Sequence, residues 1–439
     1  MSDGCVILEV NTFYTPMLRG ILLAGISVII LNACQKTDPQ QQQQDNGLIT
    51  IGGIDSVRSE VLGESRTIWV HVPESAKDKT LTPVKYPVVY LLDGPEHFQS
   101  VVGMIKHLSG SNGNAFIPEM VVVAISNTDR ARDLTPTHVD VDFFTGKKIR
   151  YGSGGNDKFL TFIETELIPY VDKKYPTTSY RTFVGHSFGG LSVINALITK
   201  PELFSNYVAI DPSLWWDNLA FADRADSILS AGKFDGKSLF VGIANTMPEG
   251  MMVGQLENDT LKTTAHMRSI MKFASSRESK SSGGLRFKSK YYEDDDHSSV
   301  PLITTYDAFR FAFDWYRLRG INQFFTPESK ATVEDMLSLI DNHFKVVSGH
   351  FGYPQPPPES MMYSLGYGFL YNDMPDKAGA LFDLNIKNFP TPQAYEARGD
   401  CYLAQQDSVN AMTLFAKCVD VGGTNSVQEK IDALKAHQK

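Results

Sequence analysis

The sequence predicts an α/β fold with a mostly parallel sheet covered by helices on both faces, followed by a small all-α domain. From about Leu48 to Gly320, short β-branched or aromatic runs alternate with longer helical patterns, which is typical of α/β proteins. Runs such as PVVYLL at Pro87–Leu92 are apolar throughout, as expected for strands buried on both faces. Beyond Gly320 the strand signals stop, and the remainder has helical patterns to the end.

Composition narrows the possible classes of protein. The 439 residues are 42% hydrophobic and 21% charged, which excludes a disordered polyelectrolyte and a membrane bundle. The net charge of -9 argues against a nucleic-acid partner. The four cysteines are too few for a disulfide scaffold and include no CxxC pair, so neither a zinc site nor a redox motif is expected.

A short apolar run near the N-terminus predicts a targeting segment. Gly20–Leu31 has 12 apolar or small residues, the length of a signal-peptide core and short for a membrane span, and Arg19 precedes it. The motif Leu31-Asn-Ala-Cys34 resembles the lipobox of bacterial lipoproteins, in which the cysteine is lipidated. We therefore expect residues 1–33 to be a lipoprotein signal peptide and Cys34 to carry the lipid anchor.

Two further expectations concern this region. Met17 is a more natural start than Met1, because the first sixteen residues carry Asp3 and Glu9 and do not form a basic leader. The Gln-rich residues 34–47 contain no large apolar side chain and are predicted to be a flexible tether. An uncleaved anchor helix is the alternative, and both interpretations place the protein in the bacterial cell envelope, on the periplasmic or outer-membrane side.

The segment 48–320 is predicted to hold eight strands and four long helices. The first two strands are separated by a Gly-containing turn and are expected to form an antiparallel hairpin. The predicted strands are Ser56–Leu62, Arg66–Val72, Pro87–Leu92, Met120–Ile125, Arg181–Val184, Tyr207–Ile210, Ser238–Ile243 and Phe287–Tyr292. The predicted helices are Asp157–Tyr175, Gly189–Ile198, Asn258–Ser275 and Leu302–Arg317.

The C-terminal segment 321–439 contains an internal repeat. A pattern of small and large residues recurs 33 positions later, with Gly366, Phe369, Ala378 and Phe382 matched by Gly399, Tyr402, Ala411 and Phe415. This spacing in helix pairs resembles the tetratricopeptide repeat, whose period is about 34 residues. We expect a helical domain of this type, which could recruit a protein partner. Cys401 and Cys418 lie within it as core thiols.

The strongest chemical signal is a GxSxG motif at Gly185-His-Ser187-Phe-Gly189. It lies directly between a predicted strand and a predicted helix, the context in which the serine of such a motif is a nucleophile. Gly185 and Gly189 are expected where a Cβ atom would strike the adjoining strand or helix. The alternative is a Gly-rich turn with an incidental serine.

A serine hydroxyl needs a base to take its proton, so a histidine must lie nearby. His297 fits best, because it follows the last predicted strand in a polar turn and precedes the next helix. Serine before histidine, with the acid between them, is the chain order of α/β-hydrolases. A solvated histidine beside an acidic turn is the alternative.

Several sequence blocks follow one another in a characteristic order: Tyr90–Gly94, Asn127–Pro136, Phe159–Glu164, Leu167–Tyr170, the elbow around Ser187, Asp211–Trp216 and Asp296–His297. Through these blocks the segment from about Ile54 to Gly320 resembles the putative esterase family of α/β-hydrolases, which includes esterase D and the enterobactin-type siderophore esterases. It implies an α/β-hydrolase fold and an ester substrate, without identifying that substrate.

Oxyanion donors and a catalytic acid are the remaining parts of such a site. The amide of Phe188 follows the nucleophile, and the amide of Gly94 follows the strand ending at Leu92, so we expect these two donors. In the general fold the acid follows the strand at Ser238–Ile243, which points to Glu249. A Ser-His dyad, as the family resemblance allows, or a carboxylate from Asp294–Asp296 are the alternatives.

Three more residues are candidates for substrate binding. Trp215 and Trp216 follow the strand after the elbow and could stack on an aromatic acyl group or a sugar, although core packing is the alternative. Arg132 follows another strand end and could bind a charged substrate, or could simply pair with Asp133.

These observations predict a lipid-anchored serine esterase that forms an acyl-enzyme and needs no cofactor or metal. Its expected partners are a small-molecule ester and, through the repeats, a protein. Three alternatives stay open: an acyltransferase with the same site, a siderophore trilactone esterase, and a non-catalytic lipid-anchored binding or scaffold protein.

Overall fold

The computed structural model describes residues 48–78, 81–110, 114–280, 283–326, 329–423 and 425–437. The predicted signal peptide, the alternative start at Met17, the tether and Cys34 lie outside the described residues. Within the described ranges, no helix combines the length and apolar character that a bilayer crossing requires.

Eight strands form one sheet, and each predicted strand overlaps one of them. Their bounds are β1 (Gly53–Ser59), β2 (Glu64–His71), β3 (Tyr86–Leu91), β4 (Val121–Ile125), β5 (Thr177–His186), β6 (Asn206–Ile210), β7 (Ser238–Ala244) and β8 (Arg286–Tyr292). The predicted hairpin is confirmed, since β1 pairs antiparallel with β2 through the register Ser59 opposite Glu64.

The strand order is β1-β2-β4-β3-β5-β6-β7-β8. β2 pairs antiparallel with β4, and every later neighbour pairs parallel, which confirms the mostly parallel sheet. The carboxyl ends of β5, β6, β7 and β8 therefore lie side by side at one edge, where ligands bind in sheets of this kind.

Fourteen α-helices connect and follow the strands in the described part of the chain. They are α1 (Gly94–Ser109), α2 (Arg130–Leu134), α3 (Asn156–Phe162), α4 (Ile168–Lys174), α5 (Phe188–Thr199), α6 (Ala220–Ala231), α7 (Ala265–Ser279), α8 (Val300–Ala312), α9 (Val333–Phe351), α10 (Glu359–Tyr371), α11 (Pro375–Asn388), α12 (Pro392–Ala404), α13 (Ser408–Asp420) and α14 (Asn425–His437). A π-helical segment, Ile163–Leu167, joins α3 to α4 and completes the predicted long helix there.

Two predicted helices have different limits in the structure. The helix expected from Asn258 begins only at Ala265, because two short 3-10 turns, Val253–Asn258 and Lys262–Thr264, come before α7. The helix expected to reach Arg317 ends at Ala312. Apolar spacing alone did not reveal these ends.

The central strands β3, β4, β6 and β7 are buried on both faces, as their apolar runs predicted. In β3, Val88 and Tyr90 belong to one apolar cluster, whereas Val89 and Leu91 belong to the other. The second cluster continues beyond α1 and α8 into α9–α12, so one core joins the sheet to the helical segment. Residues 50–439 accordingly form a single compact unit, and a domain boundary near residue 320 stays a prediction.

The two repeat units make the same internal contact. A Cβ atom added to Gly366 would lie 2.3 Å from the Phe382 ring, and one added to Gly399 would lie 2.4 Å from the Phe415 ring. Each glycine thus lets the paired helix approach closely. This equivalence supports the 33-residue repeat, while its assignment to the tetratricopeptide class and the expected protein partner stay predictions.

Candidate active site

Ser187 lies at a sharp turn between β5 and α5. Its φ of +59° and ψ of -114° are outside the regions that residues with a side chain normally adopt. Such strain persists only where the surrounding structure imposes it, and it is typical of a nucleophile elbow. The amide of Ser187 donates to the Ile210 carbonyl at 2.9 Å, which fixes the turn against the end of β6.

Two glycines allow this turn to form. A Cβ atom on Gly185 would lie 2.4 Å from the Gly189 carbonyl oxygen, so a side chain at position 185 would strike the start of α5, as predicted. A Cβ atom on Gly189, by contrast, would make ordinary contacts at 3.5 Å. Gly190 is the second constrained position, since its Cβ atom would lie 2.8 Å from Pro212.

The Ser187 hydroxyl pairs with the hydroxyl of Ser213, with 3.1 Å between the two oxygens. Ser213 is buried and follows β6, and its amide donates to the Ser187 carbonyl at 3.2 Å. Among the described residues, Ser187 Oγ forms this hydrogen bond with Ser213 and none with His297. Catalytic hydrogen bonds are often long or unformed before a substrate binds.

His297 lies in the turn after β8, as predicted, and its Nδ1 atom is 2.6 Å from Asp211 Oδ2. Asp211 follows β6 directly and is fully buried, with a φ of +39°. Its Oδ1 atom accepts from the Ala244 amide at 2.9 Å. The carboxylate is therefore held by the backbone of β7 and presents its other oxygen to His297.

A second histidine contacts the same carboxylate oxygen. His266, the second residue of α7, places its Nε2 atom 2.7 Å from Asp211 Oδ2. Burial alone would raise the pKa of Asp211, but the hydrogen bonds from His266 and His297 outweigh burial and hold that pKa well below its ordinary value. Asp211 is therefore an anion at neutral pH.

The expectation that Glu249 is the acid is corrected by this geometry. Glu249 is exposed in the loop after β7, whereas the carboxylate bonded to His297 follows β6. The acidic turn does not supply the acid either. Asp295 accepts from the Ser299 hydroxyl at 2.8 Å, and Asp296 accepts from the amides of Ser298 and Ser299, so both stabilise the turn before α8.

The loops after β7 and β8 are tied together near His297. The Asn245 amide donates to the Asp295 carbonyl at 2.8 Å, and the Asn245 side chain donates to the Glu293 carbonyl at 2.9 Å. These two bonds fix the turn that carries the imidazole.

His186 packs against His297 on its other side. The two ring centroids are 4.4 Å apart, and His266 lies edge-on to His297 at 5.1 Å. The Nε2 atom of His186 is buried and has no hydrogen-bond partner among the described residues. Burial, reinforced by the nearby His297, lowers the pKa of His186 to about 4, so this ring is neutral at physiological pH.

Each of the two predicted oxyanion donors begins a helix. Phe188 is the first residue of α5 and Gly94 the first residue of α1, and the first amide of a helix has no acceptor within that helix. A Cβ atom on Gly94 would lie 2.7 Å from the Ala124 carbonyl carbon, so only glycine fits against the end of β4. The oxyanion role of the two amides stays a prediction.

Arg130, which the sequence analysis did not select, is the cation beside the elbow. Its guanidinium binds both carboxylate oxygens of Asp93 at 2.6 and 2.9 Å and donates to the His186 carbonyl at 3.1 Å. Arg132, the expected substrate ligand, instead pairs with Asp133 at 2.6 Å and with Glu64 at 3.0 Å. The structure therefore favours the structural alternative for Arg132.

The two tryptophans have different environments. Trp216 is only 1% exposed, and its indole nitrogen donates to Thr137, so it is a core residue. Trp215 is partly exposed and packs against Phe143 and Phe144, with ring centroids 5.6 and 4.7 Å away. It lies 6.2 Å from the Phe188 ring and lines a cavity of about 250 Å³.

The same cluster could in principle receive a cation. One ligand atom each from Asp211, His266 and His297 lies within 4.8 Å of the others. The N···O distances of 2.6 and 2.7 Å are those of direct hydrogen bonds, which already satisfy the carboxylate oxygen.

Comparison with known proteins identifies relatives among esterases. The family described as "Putative esterase" matches residues 59–284, just over half of the chain. The ferri-bacillibactin esterase BesA of Bacillus subtilis is 26% identical over 295 residues, covering 63% of this chain and 95% of BesA. A siderophore triacetylfusarinine C esterase of Aspergillus fumigatus is 29% identical over 188 residues, covering 39% of this chain and 59% of the fungal protein. The chain thus spans about three fifths of the length of this fungal relative.

A solved structure covers more of the chain. The crystal structure of an IroE-like serine hydrolase from Shewanella oneidensis superposes with a TM-score of 0.64 at 30% identity. The match covers 77% of this chain and 99% of that protein.

Proposed function

The chain belongs to the putative esterase family and is a hydrolase, and from this premise we propose that it cleaves its ester through Ser187, His297 and Asp211. In this proposal Ser187 is the nucleophile, His297 the base and Asp211 the residue that orients the base. One observation supports it most: beside the strained elbow at Ser187, the ring of His297 packs on that of the adjacent His186, and the Nδ1 atom of His297 is bonded to a buried anionic carboxylate.

The reaction begins with rotation of the Ser187 side chain away from Ser213 toward His297 Nε2. The hydroxyl oxygen attacks the ester carbonyl carbon while its proton passes to Nε2. The resulting imidazolium is stabilised by Asp211, which accepts from Nδ1 and keeps that tautomer in place. The amides of Phe188 and Gly94 donate to the oxyanion of the tetrahedral intermediate.

Collapse of the intermediate expels the alcohol, which takes the proton from Nε2, and leaves the acyl group on Ser187. Water then attacks the acyl-enzyme, gives its proton to His297 and releases the acid with regeneration of the serine. No group beyond these side chains and water is needed to balance the two steps.

His266 has a supporting role in this mechanism. Its hydrogen bond to Asp211 Oδ2 prevents the carboxylate from turning and favours its ionised form. The imidazole of His297 then has a fixed anionic partner throughout the cycle.

The experiment that tests the proposal is covalent labelling by a fluorophosphonate together with hydrolysis of p-nitrophenyl acetate. Ser187→Ala should abolish both signals, whereas Ser213→Ala, the matched change at the neighbouring hydroxyl, should keep the label. Undiminished hydrolysis by the Ser187→Ala protein would disprove the assignment.

A siderophore ester is the substrate class that we favour. The support is that the relatives BesA and the fungal esterase are named for siderophores and that an aromatic rim, Trp215 with Phe143 and Phe144, borders the elbow. Aromatic rims can stack on the catechol rings of such compounds. Hydrolysis of a tricatechol trilactone in clear preference to p-nitrophenyl acetate would support this class, and equal rates would contradict it.

We also retain the proposal that Cys34 carries a lipid anchor in a bacterial cell envelope. Its support is the lipobox-like motif in the sequence. Radiolabelled palmitate should enter the wild-type protein and not a Cys34→Ser variant.

A further inference from the structure

A cationic cavity lies beside α8, outside the catalytic cluster. Its volume is about 760 Å³, and five cations line it against two carboxylates, in a chain whose net charge is -9. The cations are Lys288, Lys290, Arg310, Arg317 and Arg319, and the carboxylates are Asp307 and Asp314. An excess of positive charge so local is unexpected for an acidic protein, and it indicates a surface that attracts anions.

The two carboxylates are already bonded to cations and hydroxyls. Asp307 accepts from Lys290 at 2.6 Å and from the Tyr292 hydroxyl at 3.0 Å, and Asp314 accepts from Arg286 at 3.0 Å. Among the described residues, the carboxylates of the cavity pair with Arg286 and Lys290, and no ion pair includes Lys288, Arg310, Arg317 or Arg319.

Two of these free guanidinium groups share one aromatic ring. The Cζ atoms of Arg317 and Arg310 lie 4.3 and 6.0 Å from the centroid of Phe116. The two groups are therefore no more than about 10 Å apart, which is comparable with the screening length of about 8 Å in physiological salt. Holding two like charges together without a protein anion is unfavourable, and a bound anion between them would remove that repulsion.

The cavity is distant from the ester site. α8 begins at Val300, three residues after His297, and Arg310 lies ten residues further along this helix. At 1.5 Å per residue this is about 15 Å, and Arg317 and Arg319 follow beyond the end of the helix. A ligand here would not contact Ser187.

We propose that this cavity is a binding site for a phosphoryl anion, held by Arg310 and Arg317 with Lys288 and Arg319 at its rim. Guanidinium groups bind phosphate oxygens through paired charge-assisted hydrogen bonds. Four unpaired cations offer more donors than the two oxygens of a single carboxylate can accept, and a phosphoryl group presents further acceptor oxygens. The phosphoryl group could belong to a soluble phosphate compound or to a phospholipid headgroup.

The test compares the full-length chain with Arg310→Gln/Arg317→Gln. The matched control is Arg58→Gln/Arg224→Gln, which removes the same charge from two exposed arginines outside the cavity. Inorganic pyrophosphate is titrated by calorimetry, and flotation is measured with phosphatidylglycerol and with phosphatidylcholine vesicles. p-Nitrophenyl acetate hydrolysis, measured alongside, should be unchanged in both variants.

We expect the cavity variant to bind pyrophosphate or phosphatidylglycerol vesicles about tenfold more weakly, with the control within about twofold of the parent. A loss confined to vesicles assigns the site to a lipid headgroup, and a loss with pyrophosphate assigns it to a soluble phosphate. Either result supports the site. Absent binding of both probes by the parent chain, or unchanged binding by the cavity variant, would overturn it.

Discussion

The Nε2 atom of His266 lies 2.7 Å from Oδ2 of Asp211, the oxygen that His297 also contacts. One buried carboxylate oxygen therefore receives two imidazole donors, one from the start of α7 and one from the turn after β8. The arrangement fixes the carboxylate from two sides and explains why Asp211 stays ionised in a buried position.

Removing the charge of Asp211 should impair catalysis far more than folding. For Asp211→Asn we expect kcat for p-nitrophenyl acetate to fall about 100- to 10,000-fold, because the imidazole loses its orienting anion. Glu249→Gln is the control and should keep wild-type kcat. Retention of more than half of the activity by Asp211→Asn would instead indicate a Ser-His dyad.

Loss of the His266 donor should have a smaller effect. His266→Phe should lower kcat about tenfold, because the Asp211 carboxylate loses a hydrogen bond to its charged form and is held less firmly against His297. His266→Gln, which can still donate, should restore part of the lost activity. Equal activity of the Phe and Gln variants would show that His266 only packs.

The elbow glycine should tolerate no side chain. For Gly185→Ala we expect a loss of about 1–3 kcal/mol or more in the free energy of unfolding, because the new Cβ atom would lie 2.4 Å from a carbonyl oxygen. Gly103→Ala, in α1 and with open space around the new atom, should be neutral or stabilising by about 0.4–1 kcal/mol. Urea unfolding measures both, and equal effects would contradict the steric argument.

Protonation of His186 should destabilise the fold. Its pKa falls from 6.5 to about 4 on folding, so between pH 4 and 6.5 the unfolded chain binds more protons than the folded chain. The free energy of unfolding should therefore fall as the pH drops from 6.5 toward 4. His186→Phe keeps a ring against His297 but cannot titrate, so its urea midpoint should fall less over this range. Parallel pH dependence in the two proteins would refute the linkage.

Trp215 should affect aromatic substrates selectively. Trp215→Ala is expected to raise KM for p-nitrophenyl benzoate about fivefold, with little change for p-nitrophenyl acetate, because only the aromatic acyl group would stack on the indole. Trp216→Phe, a change in the core, should lower thermal stability without this discrimination. Equal changes in KM for both esters would show that Trp215 does not contact the acyl group of the substrate.

The central strands were predictable because burial on both faces leaves apolar runs that the local sequence displays directly. All eight predicted strands overlap observed ones, and the elbow lies where its motif required. Helix ends were less predictable. The turns between Val253 and Thr264 keep apolar spacing close to that of a helix, yet their backbone is 3-10.

The acid and its second donor were not predictable in the same way. Asp211 directly follows the apolar strand β6, a signal that was visible, but the usual strand order of the fold pointed to the next loop and to Glu249. His266 lies within a helical pattern and resembles an ordinary helix residue. Its contact with Asp211 joins residues 55 positions apart, which no local pattern records.

The sheet and α9–α12 share one apolar core, so removing these helices would expose apolar side chains of the sheet. Tyr180 of β5 and Phe313 after α8 pack in the same cluster as Phe351 of α9. Truncation near residue 320 would leave these rings facing water, and the resulting fragment should aggregate. Helices α9–α12 therefore keep one apolar side of the sheet out of water, and a shortened chain must retain them.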